Sequence, residues 1–182
     1  AIPYFETVHH LSPHAAALGV SIMLFGWICS SFLTGALSDL LCTRKIPVVI
    51  GSFGAAATIA FILFVPNIPM SALYVLLFIG GAFCGPHPLC FTLCKENHSR
   101  KISGTTIAFA NFIIMMGGFI FQPVVGKLLD WVSHGVIENG LHIYSAADYV
   151  AALSIMPIGL CIAGVLSLFI KETYRKSTHD KH

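Results

Sequence analysis

Charge is what this sequence is shortest of. Acidic and basic side chains make up 10% of its 182 residues, and no Asp, Glu, Lys or Arg stands between Lys45 and Lys95. Residues 13–38, 102–126 and 149–170 are equally free of charge. With 56% hydrophobic side chains and a mean hydropathy of +0.83, the chain is too apolar for a water-soluble domain and suits a bilayer. The alternating pattern of an outer-membrane barrel is missing too, because the apolar runs are long and continuous. No G-x-S-x-G, H-E-x-x-H or phosphate-binding loop is present, which removes the hydrolases, zinc peptidases and nucleotide enzymes that those motifs mark. We expect no enzyme, no metal and no cofactor. The opening stretch "AIPYFETVHHLSP" lacks the basic start, apolar core and small-residue cleavage site of a signal peptide.

What is present is a set of apolar runs of the length that crosses a membrane as a helix, about 20 residues each. They predict five spans near residues 14–38, 46–65, 70–94, 103–129 and 149–170, hence an all-α polytopic transmembrane helix bundle. The loops between them alternate in charge. Arg44 and Lys45 follow the first span, the second loop is uncharged, Lys95, Arg100 and Lys101 follow the third, Asp130, Glu138 and Asp148 the fourth, and Lys171, Arg175, Lys176 and Lys181 the last. Lys and Arg collect in cytoplasmic loops, so the basic side is read as cytoplasmic. Lys127 is the exception and sits where it could snorkel from a helix end. Residues 1–13 then read as the extracytoplasmic end of a preceding helix with its loop, residues 14–170 as the bundle, and residues 171–182 as a basic cytoplasmic tail. Membrane lipid is the expected surround, and nucleic acid is not a partner, because the net charge of +2 comes from these orienting loops. Five spans starting outside would be unusual for a complete bacterial protein, so a fragment is expected.

Six cysteines do not read as a disulfide framework. Cys29, Cys84, Cys90, Cys94 and Cys161 fall in spans and Cys42 in a cytoplasmic loop where thiols stay reduced. They are read as small packing residues. In "CGPHPLCFTLC", Cys90 and Cys94 stand one turn apart, but helical geometry scatters His87 from them, and metal binding is not expected.

Repetition is more informative. "GALSD" ends the first span and "GKLLD" ends the fourth, so Gly35 corresponds to Gly126 and Asp39 to Asp130. By the charge alternation these copies lie at opposite faces, as inverted-topology repeats of three helices each would place them. The second unit is complete in spans three to five. The first has two spans, and its third helix would precede Ala1.

The stretch "GALSDLLCTRK" resembles the cytoplasmic signature loop of the major facilitator superfamily, Gly-x-Leu-x-Asp-Arg-x-Gly-Arg-Arg. Gly35, Leu37, Asp39, Arg44 and Lys45 follow it, while Leu40 replaces the usual Arg and Cys42 the usual Gly. "SGTTIAFANFIIMMGGFIFQPVVGKLLD" and "LFIKETYRKS" resemble helices eleven and twelve of bacterial members, and "IPYFETVHHLSPHAAALGVSIMLFGW" the end of helix seven leading into helix eight. The resemblance covers nearly the whole chain. It implies the carboxy-terminal half of a secondary carrier of the bacterial inner membrane, moving a small-molecule solute such as an amino acid, a dipeptide or another metabolite. Its main partner would be the missing amino-terminal six-helix half.

Site residues follow from the residues and from this resemblance together. Asp39 lies four residues after Gly35 on one helix face, and a carboxylate at the carboxy end of its own helix is unfavourable unless something compensates it. The resemblance implies a gate motif of Gly35, Asp39, Arg44 and Lys45, holding the cytoplasmic side shut through the opposite half. Gly81 with Gly85, and Gly117, Gly118 and Gly126, are expected at close helix approaches. Pro86, Pro88 and Pro123 should kink or unwind their helices. Polar groups inside spans are costly and tend to face a cavity or another helix, so Trp27, Tyr74, His87, Asn111 and Gln122 are the candidates for the substrate path. Every Asp and Glu lies in a loop, tail or span end. If protons are coupled to flux, the group that titrates is therefore His87, with an unperturbed pKa of about 6.5, or lies outside this chain. A non-transporting sensor or assembly subunit is the competing reading.

Overall fold

The computed structural model describes residues 2–133, 137–138, 141–142 and 144–172. Residues 173–182, which hold most of the expected basic tail, lie outside them. Helix α1 (Ile2–His9) leads through a tight turn into α2 (Pro13–Leu40). Ser12 caps α2 by accepting from the Ala15 N–H at 3.3 Å, and Pro13 occupies the first helical turn, where its missing donor costs nothing. Then come α3 (Lys45–Phe64), α4 (Met70–Phe83), α5 (His87–Glu96), a 3₁₀ turn (Arg100–Ile102) and α6 (Ser103–Val132). A two-residue antiparallel pairing of Ile137–Glu138 with Leu141–His142 precedes α7 (Ala146–Leu153) and α8 (Ile155–Ser167). Ser145 and Asp148 cap α7 reciprocally, each side chain accepting from the other's backbone.

The fold is an all-helical bundle with five segments long and apolar enough to cross a membrane: Pro13–Leu40, Lys45–Phe64, Met70–Glu96, Ser103–Val132 and Ala146–Ser167. Two of these are discontinuous. Span three unwinds between α4 and α5, where Pro86 and Pro88 each lack the N–H that would continue the helix, and span five is interrupted at Ser154. Pro123 has a different outcome, since α6 runs through it without a break.

Helix α4 packs along α2 and also against α3, while α3 packs on α8. α6 touches only α5, the 3₁₀ turn and α7 among the larger contacts, and none of its residues is buried. Two apolar clusters close the bundle at opposite ends. One gathers Tyr4, Phe5, Ala16, Ile62, Leu73 and Leu77, with the Tyr4 hydroxyl donating to the Ile62 carbonyl at 3.0 Å. The other joins Val48, Leu89 and Leu93 to Ile170.

Candidate functional site

Three loops that the sequence separates meet at the second end. The α2–α3 loop carries Arg44, whose guanidinium donates to Asp39 Oδ1 at 2.6 Å, to Ser38 Oγ at 3.1 Å and to Glu96 Oε1 at 3.4 Å. Arg44 and Glu96 are nearly enclosed, with side chains 13% and 12% exposed, whereas Asp39 is 63% exposed. Burial opposes the Arg44 charge, but the hydrogen bond to Asp39 and the charges of Glu96 and Asp39 outweigh it and hold the guanidinium above its ordinary value.

Glu172, just past α8, completes the cluster. Its carboxylate accepts from Thr43 Oγ1 at 2.5 Å, from the Arg44 N–H at 2.9 Å and from the Lys45 N–H at 3.2 Å. It therefore occupies the amino terminus of α3, where backbone donors have no partner within the helix and the helix dipole favours an anion. Lys45 returns the contact, its Nζ donating to the Leu168 carbonyl just beyond the end of α8. The start of α3 and the end of α8 are thus tied twice, each by the charge its dipole prefers.

Sequence reading named Asp39, Arg44 and Lys45 but missed Ser38, Glu96 and Glu172. A signal was available. Each described basic segment on this side carries one carboxylate among its cations, Asp39, Glu96 and Glu172 respectively. Gly35 meets nothing within 4 Å in this chain.

The substrate-path candidates divide. Trp27 of α2 and His87 at the start of α5 come together, their rings edge to face with centroids 6.0 Å apart. His87 also borders a cavity of about 200 Å³ shared with Ser52, Cys84 and Cys90. Tyr74 joins α4 to α2: its hydroxyl donates to the Ala15 carbonyl at 3.2 Å and its ring lies over Gly19. Asn111 and Gln122 are exposed on α6. Eleven residues apart, they fall on one helix face, about 20° from each other. No group of three His, Cys, Asp or Glu that could hold a metal ion occurs among the described residues.

The packing candidates divide as well. Gly81 and Gly85 are needed where they stand, because a Cβ on Gly81 would overlap the Met23 carbonyl and one on Gly85 would overlap Ser30 Oγ. Gly26, which the sequence reading passed over, faces the Phe78 carbonyl in the same way. Gly117, Gly118 and Gly126 meet nothing within 4 Å. The expected close approach on α6 is not made by this chain, for the plain reason that no helix packs on those positions.

The fold and this cluster define a multi-pass α-helical membrane protein whose loops interlock by charge at one end. The whole chain, residues 1–182, matches the sequence profile of the Major Facilitator Superfamily, and it belongs to that family. It is accordingly a membrane transporter rather than an enzyme. Neither a curated protein nor a solved structure matches it.

Proposed function

We propose that the chain is the carboxy-terminal half of a secondary active carrier that moves a small organic solute, such as an amino acid, a dipeptide or a similar metabolite, by alternating access. The amino-terminal six-helix half supplies the opposite wall. The observation that carries this reading is α6, an apolar span that buries nothing in this chain yet sets Asn111 and Gln122 on one exposed face. Two amides on one side of a span are costly against lipid and suit a water-filled path. The Arg44 cluster is then the cytoplasmic gate, closed when Asp39, Glu96 and Glu172 are gathered and loosened when the carrier opens inward. The basic loops support a cytoplasmic location for that end and for the carboxy terminus, in a bacterial inner membrane. Coupling to protons would run through His87, which borders a cavity and contacts Trp27.

The test is uptake by vesicles containing the full-length protein, screened against amino acids and dipeptides. Asn111→Leu and Gln122→Leu should lower flux about tenfold or more without lowering thermal stability, and unchanged flux in both would remove α6 from the path. Asp39→Asn should shift the balance of inward- and outward-facing states, and an unchanged balance would sink the gate. If His87→Gln leaves the pH profile of uptake as it was, protons are not coupled there. Ligand binding without any flux would favour the sensor reading instead.

A further inference from the structure

One face of α2 carries Trp27, Ser30, Thr34 and Ser38, spaced by three or four residues so that they stack along the helix. Its upper end meets the break in span three. The carbonyl of Ala82 would normally accept from the residue four positions on, but that residue is Pro86, which has no N–H. Gly85 N–H reaches it as a tight turn at 3.0 Å, and Ser30 Oγ, from the neighbouring helix, donates to it as well. Gly85 makes this possible, since any side chain there would collide with the Ser30 hydroxyl. The lower end meets the charged cluster. Thr34 Oγ1 donates to the Ser30 carbonyl at 2.7 Å and lies 3.5 Å from Ser30 Oγ; Ser38 Oγ donates to the Thr43 carbonyl at 2.7 Å and accepts from Arg44 at 3.1 Å.

We propose that Ser30 is a positioning residue that replaces the missing Pro86 donor, and that the hydroxyl face of α2 couples the α4–α5 break to the Arg44 cluster. The physical reason is that the break has two ways to satisfy the Ala82 carbonyl. With Ser30 engaged, α4 and α5 are fastened to α2 on the same face that braces Arg44. With Ser30 released, the carbonyl keeps only the Gly85 N–H of the tight turn, and α5, which carries His87 and Glu96, is freed from α2. Glu96 and Ser38 are both Arg44 partners, so movement of α5 against α2 changes the guanidinium's surroundings directly. This depends on the carrier reading only for its meaning in transport.

The test is amide hydrogen exchange across residues 83–91 in the full-length protein held in lipid nanodiscs, with no solute required. Ser30→Ala should speed exchange about tenfold, the worth of one hydrogen bond. Adding Pro86→Ala gives the chain a backbone N–H in place of the lost hydroxyl, and exchange should return to within about twofold of the parent. An equal acceleration with and without Pro86→Ala would show that Ser30 does not act through the Ala82 carbonyl, and no acceleration at all would overturn the proposal outright. Arg44→Gln should speed exchange at the break too, and less than additively in the Ser30→Ala background. Strict additivity would leave the break and the cluster independent and overturn the coupling. If Ser30→Ala does not assemble, Thr34→Val removes one rung at nearly constant shape and should give about a twofold acceleration; an unchanged rate there overturns the ladder. Because exchange reads the break itself, these outcomes stand whether or not uptake is found.

Discussion

Helices α2 and α6 begin from similar material. They are 28 and 30 residues long, charge-poor for most of their length, and each ends on Gly-x-Leu-x-Asp. One is locked into the bundle and the other lies along its edge. α2 buries Ala16, Gly19, Gly26, Thr34 and Ser38, which are all small, and its backbone closes on α4 through Gly26 and Gly81. In lipid there is no hydrophobic drive between apolar helices, so backbone approach and interhelical hydrogen bonds decide which pairs form. α2 has both, with Ser30 reaching Ala82 and Tyr74 reaching Ala15 across the same seam. α6 has glycines of its own, but their faces are bare. A small residue is therefore permission to pack, and a partner with a matching gap decides whether it is used.

The sharpest way to break this contrast is to fill the gaps. Gly81→Leu drives a side chain into the Met23 backbone and should cost about 3 kcal/mol or more, seen as loss of the monodisperse protein in size exclusion. Gly118→Leu on α6 should leave the melting temperature nearly unmoved. Equal damage at both positions would mean that α6 is as tightly packed as α2.

Smaller effects compare the two Asp residues that end these helices. Arg44→Gln removes the charge that Ser38, Asp39 and Glu96 share and should cost about 3 kcal/mol, measured by denaturant unfolding in detergent. Asp39→Asn, at a side chain 63% exposed, should cost about 1 kcal/mol or less. Reversal of that order would make Asp39, not Arg44, the centre of the cluster. At the other end Asp130 accepts from the Tyr144 hydroxyl at 2.6 Å. That hydrogen bond, then desolvation and the Asp130 charge, raises the Tyr144 pKa. A raised phenol means that the contact is intact below the ordinary tyrosine value of about 10 and is lost as pH rises through the higher folded value. Burial pushes Tyr4 up to about 12 as well, so an ultraviolet titration should show one late-titrating tyrosine fewer in Asp130→Asn than in the parent, with Tyr4 unmoved.

The smallest effect concerns α1. His9 packs edge-on against the Tyr4 ring at 5.6 Å and near Phe5 at 6.2 Å, and its Nε2 is buried with no hydrogen-bond partner among the described residues. Burial, and then the neighbouring His10, lowers its pKa. A depressed histidine contributes stability above its unfolded value of about 6.5 and loses it as pH falls through the folded value. Acidification from pH 7 to 5 should lower the melting temperature by about 2 °C, and His9→Phe should abolish that part of the shift.

Much of the architecture was legible because the bilayer imposes it. A helix must cover about 20 residues to cross, so uncharged runs and their charged boundaries place the spans to within a few residues, as the 70–94 run and Met70–Glu96 illustrate. The Gly-x-Leu-x-Asp loop also announced itself by charge in an uncharged setting. The cluster's other members were harder to see. Glu96 and Glu172 stand 52 and 128 residues from Arg44, and nothing local distinguishes a carboxylate that caps a distant helix from one that faces water. Tyr74 illustrates the converse: a polar group inside a span reads as a path residue, and its hydroxyl makes a bond between helices.

The sequence by itself determined that this chain crosses a membrane as helices, where those helices start and stop, and which ends share a charge. Those properties depend on the cost of moving charge and unpaired backbone groups into hydrocarbon, a cost each segment meets alone. Tertiary structure alone decided which glycines are used, which hydroxyl substitutes for Pro86, and that Glu172 closes on the start of α3. These are matches between surfaces remote in sequence, and they exist only once two backbones have come within contact distance.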